Sequence, residues 1–312
     1  MNFDARTTTD EVLAGVDLSG RRVLVTGVSS GLGVETARAF AAHGASVVGA
    51  ARDLTKARAA TSGVVEGDFE LVELDLSSLS SVRGCADVLC TDGRRFDVLI
   101  ANAGVMATPE GRTADGFETQ FGTNHLGHFV LMNRVAPLIR DGGRLVNLSS
   151  LGHRRADVDL SDPDFENTPY DPWVAYGRSK TANVLFAVEF DRRHRERGIR
   201  ATAVHPGGIQ TELGRHMSVE AQRALMASIA ASRPKDAPPF QYKSVAQGAA
   251  TTVWASTVAL ADEIGARYCE DCHVAEVIDD PAVRGGVRSY ALDEERAGAL
   301  WSKSEELIGE RF

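Results

Sequence analysis

The residues in this chain best placed to do chemistry are Tyr176 and Lys180, four positions apart within the stretch WVAYGRSKTAN at 173–183. Four residues is a little over one helical turn, so in a helix beginning here the phenol and the ammonium project from the same face. A free tyrosine titrates near ~10, too high for a base at neutral pH. A unit charge ~4 Å away at an effective dielectric of ~20 is worth roughly 4 kcal/mol. That is enough to bring the phenol down to about 7 and make it a proton donor and acceptor near neutrality. The chain has five tyrosines, so the pair alone could be chance, and its company decides.

That company must be positioned by secondary structure. Residues 22–27, RVLVTG, form a short β-branched run ending in glycine, the pattern of a buried strand. The turn that follows, Val28-Ser29-Ser30-Gly31-Leu32-Gly33, leads into an amphipathic helix over 34–43. Strand, glycine-rich turn and helix N-terminus together make an anion site: glycines let the backbone approach a diphosphate, and free helical N–H groups favour its charge. The spacing Gly27-x3-Gly31-x-Gly33 is a variant of the dinucleotide fingerprint. A second strand at 45–50 is followed by Ala51-Arg52. An NAD-preferring site would place an acid there, whereas Arg52 can pair with a 2′-phosphate, so the expected cofactor is NADP(H) rather than NAD(H).

A third strand over 69–76 contains Asp75, a candidate for the adenine amino group, and Leu76. Helix 77–90 and strand 96–101 lead to the tight turn Asn102-Ala103-Gly104. Residues 113–139 are expected to be one long helical stretch, 143–148 a fifth strand ending in Ser149-Ser150, and 199–204 a sixth strand before HPGGIQT at 205–211. Regular alternation of strands and helices predicts an α/β fold with a doubly wound parallel sheet, three-layered, in a single domain. Ligands bind at the carboxyl ends of such strands, where Gly27, Arg52, Asp75 and Asn102 all fall. Residues 1–19 form an N-terminal arm and 20–312 the catalytic domain. The domain carries a polar rim insertion near 151–172 and an apolar flap region near 212–242, broken by prolines between 234 and 239. Helices at 245–261 and 293–309 and an edge strand at 266–268 complete the chain.

The net charge of −9 over 312 residues argues against nucleic acid or an anionic membrane as partner. No apolar run approaches the ~20 residues of a membrane span. The first twenty residues carry Asp4, Asp10, Glu11 and Asp17 without an apolar core, so no signal peptide is expected and the expected location is the cytoplasm. Cys85 and Cys90 read as small core residues. Cys269-x-x-Cys272 lacks a second pair or histidines to complete a metal site, and His125 and His128 lack a third ligand. No metal is expected.

Taken together these residues resemble the short-chain dehydrogenase/reductase family, whose fold is of the Rossmann type. The carrying motifs are Thr26-Gly27-x3-Gly31-x-Gly33, Asp75, Asn102-Ala-Gly104, Asn124, Ser150, Tyr176-x3-Lys180 and Pro206-Gly207-x3-Thr211, in family order from 20 to about 211. Ala51-Arg52, NHLGHF at 124–129, PYDPW at 169–173 and the long stretch between Ser150 and Tyr176 are similar to the branch containing retinol dehydrogenases and the WW-domain oxidoreductase. The hydrophobic anchor of the membrane-bound members and the WW modules are absent from this sequence.

The resemblance implies a hydride transfer between nicotinamide and a carbonyl or alcohol compound, and the apolar content of residues 212–232 suggests that the compound is hydrophobic. Tyr176 would be the acid/base, Lys180 would bind the nicotinamide ribose, Ser150 (with Ser149 as rival) would hold the substrate oxygen, and Asn124 would anchor a relay water. Pro206, Gly207, Ile209 and Thr211 would face the nicotinamide end. Relatives are often homo-oligomers, dimers or tetramers, while members of this branch vary, so the resemblance leaves the oligomeric state open. Two other functions stay open: reduction of a C=C bond on the same scaffold, and a non-catalytic NADP(H)-binding sensor or scaffold.

Overall fold

β-Branched and apolar runs buried on both sides dictate a parallel sheet, since only strands covered by helices on each face can be apolar throughout. A computed structural model describes residues 3–217, 219–231 and 240–312. A short helix α1 (Thr9–Val12) precedes β1 (Arg22–Thr26), α2 (Gly31–Ala42), β2 (Ser46–Ala51), α3 (Leu54–Thr61) and β3 (Phe69–Glu73). Then come α4 (Leu79–Asp92), β4 (Phe96–Ala101), α5 (Thr119–Phe121), α6 (Gly127–Val135), β5 (Ile139–Leu148), α7 (Pro172–His194) and β6 (Arg200–His205). The chain closes with α8 (Val219–Ala231), α9 (Val245–Ser256), α10 (Ala261–Ile264), β7 (Tyr268–Glu270), β8 (His273–Val274) and α11 (Glu294–Ile308).

The strands form one eight-stranded sheet in the order β3-β2-β1-β4-β5-β6-β7-β8. All neighbours are parallel except β7 and β8. One apolar cluster joins the sheet to α4, α6, α7 and α11, and the other joins it to α1, α2 and α9. The result is a three-layer, doubly wound α/β domain. Strand order reverses between β1 and β4, which brings the turns after them side by side at the carboxyl edge. No described helix is long and apolar enough to cross a membrane.

Several boundaries differ from the sequence expectation. β3 ends at Glu73, so Asp75 and Leu76 lie in the loop beyond it. The expected helix over 113–139 is broken. Residues 112–118 close a tight turn, with Arg112 bridged to Glu118, and the Glu118 carboxylate accepts the Gln120 and Phe121 N–H groups. A π-helical turn, Gly122–Leu126, then separates α5 from α6, and Pro137 lies in the 3-10 turn that ends the helix before β5 begins at Ile139. β7 is not an edge strand, because β8 covers it. The insertion is less superficial than its polarity suggests: Val158, Asp162 and Phe165 are buried. Cys90 is exposed rather than core. The expected break at 234–239 lies outside the described residues.

Candidate active site

Glycine decides the shape of the turn after β1. Gly27 (φ +81°) and Gly31 (φ +56°) adopt left-handed backbone. A Cβ on Gly33 would stand 2.2 Å from the Gly27 carbonyl oxygen, so the first turn of α2 closes on the strand end only because no side chain intervenes. Ser30 makes no side-chain cap to α2, which leaves the helix's first N–H groups facing the turn that also holds Ser29 and Leu32.

Thr26 ties this turn to the one after β4. Its Oγ1 accepts from the Asn102 and Ala103 N–H groups (2.9 and 3.0 Å), and the Asn102 Nδ2 donates to the Thr26 carbonyl (2.7 Å). With two donors accepted, the Thr26 hydroxyl gives its own proton to His128 Nε2 (2.9 Å), while His128 Nδ1 donates to the Asn124 carbonyl (3.0 Å). His125 Nε2 bonds Ser304 Oγ (2.8 Å). The two histidines are thus structural ties, and the described residues hold no group of three or more side chains placed for a metal. Cys269 and Cys272 are free and buried, their thiols pushed up by burial to about 12 and about 11, which leaves them inert.

The loop after β6 closes the cradle from the other side. Thr211 Cγ2 would lie 3.3 Å from a Cβ on Gly31, and Ile209 packs with Leu32 over Gly248 of α9. Gly207 (φ +97°), following Pro206, leaves room for the Lys243 side chain, which is paired with Asp271 at 2.5 Å. Phe240 packs on Gly208 and against the Tyr242 ring, and the Tyr242 hydroxyl reaches Met226 Sδ (3.1 Å). At the far end of the edge, Arg52 is exposed and has no carboxylate partner among the described residues. Asp75 is oriented by Ser77, which donates to its Oδ1 from backbone (2.9 Å) and hydroxyl (2.6 Å). Leu76 packs on Gly127.

Between these ends stand the proton-handling groups. Tyr176 and Lys180 project from the first turns of α7, whose start is fixed by Asp171 capping the Trp173 and Val174 N–H groups. Burial pushes the Tyr176 phenol up to about 12, only partly offset by its hydrogen bond with Ser150. Burial likewise brings Lys180 down to about 8. The direction of the phenol's shift thus runs opposite to the expectation that Lys180 draws it down to neutrality. Lys180 Nζ donates to the Leu148 carbonyl (3.0 Å) and lies 5.8 Å from the Tyr176 ring centre, and burial is the leading cause of the shift in each group.

Ser149 turns inward and donates to the Lys180 carbonyl (2.8 Å), so Ser150 is the serine that meets Tyr176. Asn124, held in the π-helical turn, accepts the Val105 N–H at 2.8 Å. Its Nδ2 donates to the Val105 carbonyl and to Ser179 Oγ, each at 2.9 Å. One Oδ1 lone pair is left without a protein donor among these contacts. Gly104 brings the same turn beneath Lys180, whose Nζ would be 3.7 Å from a Cβ there.

A family model described as short chain dehydrogenase matches residues 21–222. The chain belongs to the short-chain dehydrogenases. It is 43% identical over 297 residues to the "Probable oxidoreductase" of Streptomyces lividans, covering 92% of this chain and 97% of that one. It is 37% identical over 324 residues to the human WW domain-containing oxidoreductase, covering 99% of this chain and 73% of that one, which places it near that branch. An uncharacterised protein of Mycobacterium paratuberculosis, known from a crystal structure, is 35% identical with a TM-score of 0.74, covering 100% of this chain and 99% of that one. A short chain dehydrogenase of Burkholderia cenocepacia, solved in complex with NADP, shares the fold at 24% identity and a TM-score of 0.63, covering 81% of this chain and 96% of that one. The protein is an oxidoreductase of this family.

Two contributors escaped the sequence reading. Gly152 underlies the Tyr176 ring, for a Cβ there would stand 2.6 Å from Cε1. His153 is wholly buried beside Ser150. Neither belongs to a local motif, and only their packing on α7 reveals them.

Proposed function

We propose that this protein is an NADP(H)-dependent oxidoreductase that interconverts a carbonyl and an alcohol on a hydrophobic small molecule, with Tyr176 as general acid and base. The observation that carries the reading is the placement of the buried Tyr176 phenol beside Ser150, with Lys180 one helical turn along. Burial raises the phenol and so favours its protonated form, which can give a proton to a carbonyl oxygen. Fit to a dinucleotide is supported by the cradle of Gly27, Gly31 and Gly33, which any Cβ would fill.

In this reading the N–H groups around Ser29, Ser30, Gly31, Leu32 and Gly33 hold a diphosphate. Arg52 takes the 2′-phosphate, Asp75 and Leu76 the adenine, and Asn102, Ala103 and Gly104 flank the adjoining ribose. Lys180 binds the second ribose, and Pro206, Gly207, Ile209 and Thr211 face the reacting end. A bound dinucleotide would supply or accept the hydride. Ser150 Oγ holds the substrate oxygen, and Tyr176 Oη passes its proton to that oxygen as the carbonyl carbon gains hydride, or recovers it in the reverse direction. Asn124 fixes the turn below Lys180, with its remaining lone pair available to a relay water. Phe240, Tyr242 and Met226 gather apolar surface at the 212–242 flap, in keeping with a hydrophobic substrate.

The test is loss of NADPH absorbance with a panel of ketones, quinones and aldehydes, with the products identified. Alcohol formed with C=C bonds intact is the expected result. Saturation of a C=C bond with the carbonyl intact would replace it by double-bond reduction. Tight NADPH binding without turnover of any panel member would leave a sensor.

A further inference from the structure

Ser150 follows the last residues of β5 and opens a 3-10 turn, Leu151–Arg155. Nothing in a free loop would hold its hydroxyl at the Tyr176 phenol, yet the turn is fastened on every side, and most of the fastenings meet at His153. The His153 Nδ1 lies 2.7 Å from the Ser150 carbonyl, which also accepts the His153 backbone N–H at 3.0 Å. Its Nε2 lies 3.2 Å from the Arg288 backbone N–H. A carbonyl only accepts and an N–H only donates, so Nδ1 carries the proton and Nε2 is bare. The ring is locked in one neutral tautomer with both nitrogens used. The His153 carbonyl accepts the Tyr290 hydroxyl (2.6 Å), and Thr181, one residue beyond Lys180, shares its hydroxyl proton between the Ala156 carbonyl (2.7 Å) and the His153 carbonyl (3.1 Å). Tyr268 of β7 packs against the ring at 4.8 Å between centres, tilted by 53°. The turn meets α7 through two glycines, Gly152 against the Tyr176 ring and Gly177 against the Gly152 carbonyl. Gly152 N–H in turn donates to Ser150 Oγ (3.0 Å) and sets the hydroxyl's direction.

We infer that His153 is a positioning residue. Through Ser150 it fixes the relative placement of the serine hydroxyl and the Tyr176 phenol, and it couples that placement to the carboxyl-terminal segment around Arg288 and Tyr290. The inference rests on the function proposed above and adds to it a residue that touches neither substrate nor cofactor. A shift of ~1 Å in a group that orients a reacting atom can cost about 100-fold in rate, so the clamp matters to turnover and not to dinucleotide binding.

The test compares His153→Phe, His153→Asn and Ser150→Ala with wild type, using NADPH and the panel carbonyl that wild type reduces fastest. His153→Phe keeps the ring volume and loses both hydrogen bonds, and its kcat should fall about 10- to 100-fold with the NADPH Kd within about threefold. His153→Asn restores a donor at the Nδ1 position and should recover turnover to within about fivefold of wild type. In the Ser150→Ala background His153→Phe should cost less than about threefold, because the two act as a unit. Unchanged kcat in folded His153→Phe, an Asn variant as poor as Phe, or an equal fold-loss in both backgrounds would overturn the inference. If His153→Phe does not fold, Asn against Gln decides: Gln reaches only the Nε2 side, and equal activities would overturn it. Wild type that turns over no panel member, or Ser150→Ala as fast as wild type, would instead strike the proposed function.

Discussion

The two sides of the site are built on different principles. On the dinucleotide side the geometry is set by what is missing: three glycines and a helix start without a side-chain cap, fastened by one threonine that serves two backbone N–H groups. On the proposed proton-transfer side it is set by side chains packed against side chains, with Ser150, Gly152, His153 and Tyr176 interlocked and the Tyr176 and His153 rings buried. A backbone cradle accepts many nearby sequence changes but no Cβ. A buried side-chain cluster accepts few changes of any kind, and it shifts the pKa values of its own members.

The sharpest way to break this contrast is Gly33→Ala. A methyl 2.2 Å from the Gly27 carbonyl forces the backbone apart, so NADPH binding, followed by fluorescence titration, should be lost altogether. Binding retained within about tenfold would show that the cradle is not shaped by close backbone approach.

Acid should loosen both sides together. Burial holds His125 at about 3 and His128 and His153 at about 4, against ~6.5 in an unfolded chain. Because the folded values lie below the unfolded one, the unfolded chain takes up protons first as the pH falls. The stability is full above ~6.5 and is lost progressively toward 4, by about 2 kcal/mol per histidine at pH 5 as an upper bound. Urea midpoints at pH 7.5 and pH 5 check this, and equal midpoints would contradict it.

Gly152→Ala separates the two sides. A methyl 2.6 Å from Tyr176 Cε1 must displace the ring or the turn, so turnover should fall about 100-fold while the NADPH Kd moves less than about threefold. Equal losses in both would deny the separation. The smallest effect belongs to the exposed end of the cradle. Arg52→Ala should raise the Kd for NADPH about tenfold, a charge-assisted hydrogen bond's worth, and leave NADH nearly unchanged. Isothermal titration with both dinucleotides decides it, and equal losses would remove the 2′-phosphate contact.

The same contrast explains what the sequence made legible. Strand, glycine turn and helix start are adjacent in the chain, so the cradle after β1 and the parallel sheet could be read from spacing alone. Tyr176 and Lys180 were visible because one helical turn separates them. What the spacing could not show was burial. The expected depression of the phenol assumed a charge acting across a partly solvated gap, whereas both groups are enclosed, and the phenol rises to about 12. His153 was invisible for a related reason: its partners Ser150, Thr181, Tyr268, and Arg288 with Tyr290, come from four separate parts of the chain. The helix expected over 113–139 failed because Glu118 caps a late start and Pro137 enforces an early stop, while the apolar periodicity runs through both.

Turnover and NADPH affinity measured on one preparation of Tyr176→Phe bear most directly on the proposed proton transfer. Removal of a single hydroxyl should lower turnover by at least about 100-fold, the share of a general acid, with NADPH affinity kept within about threefold. Turnover within about threefold of wild type would show that the proton reaches the substrate by another route.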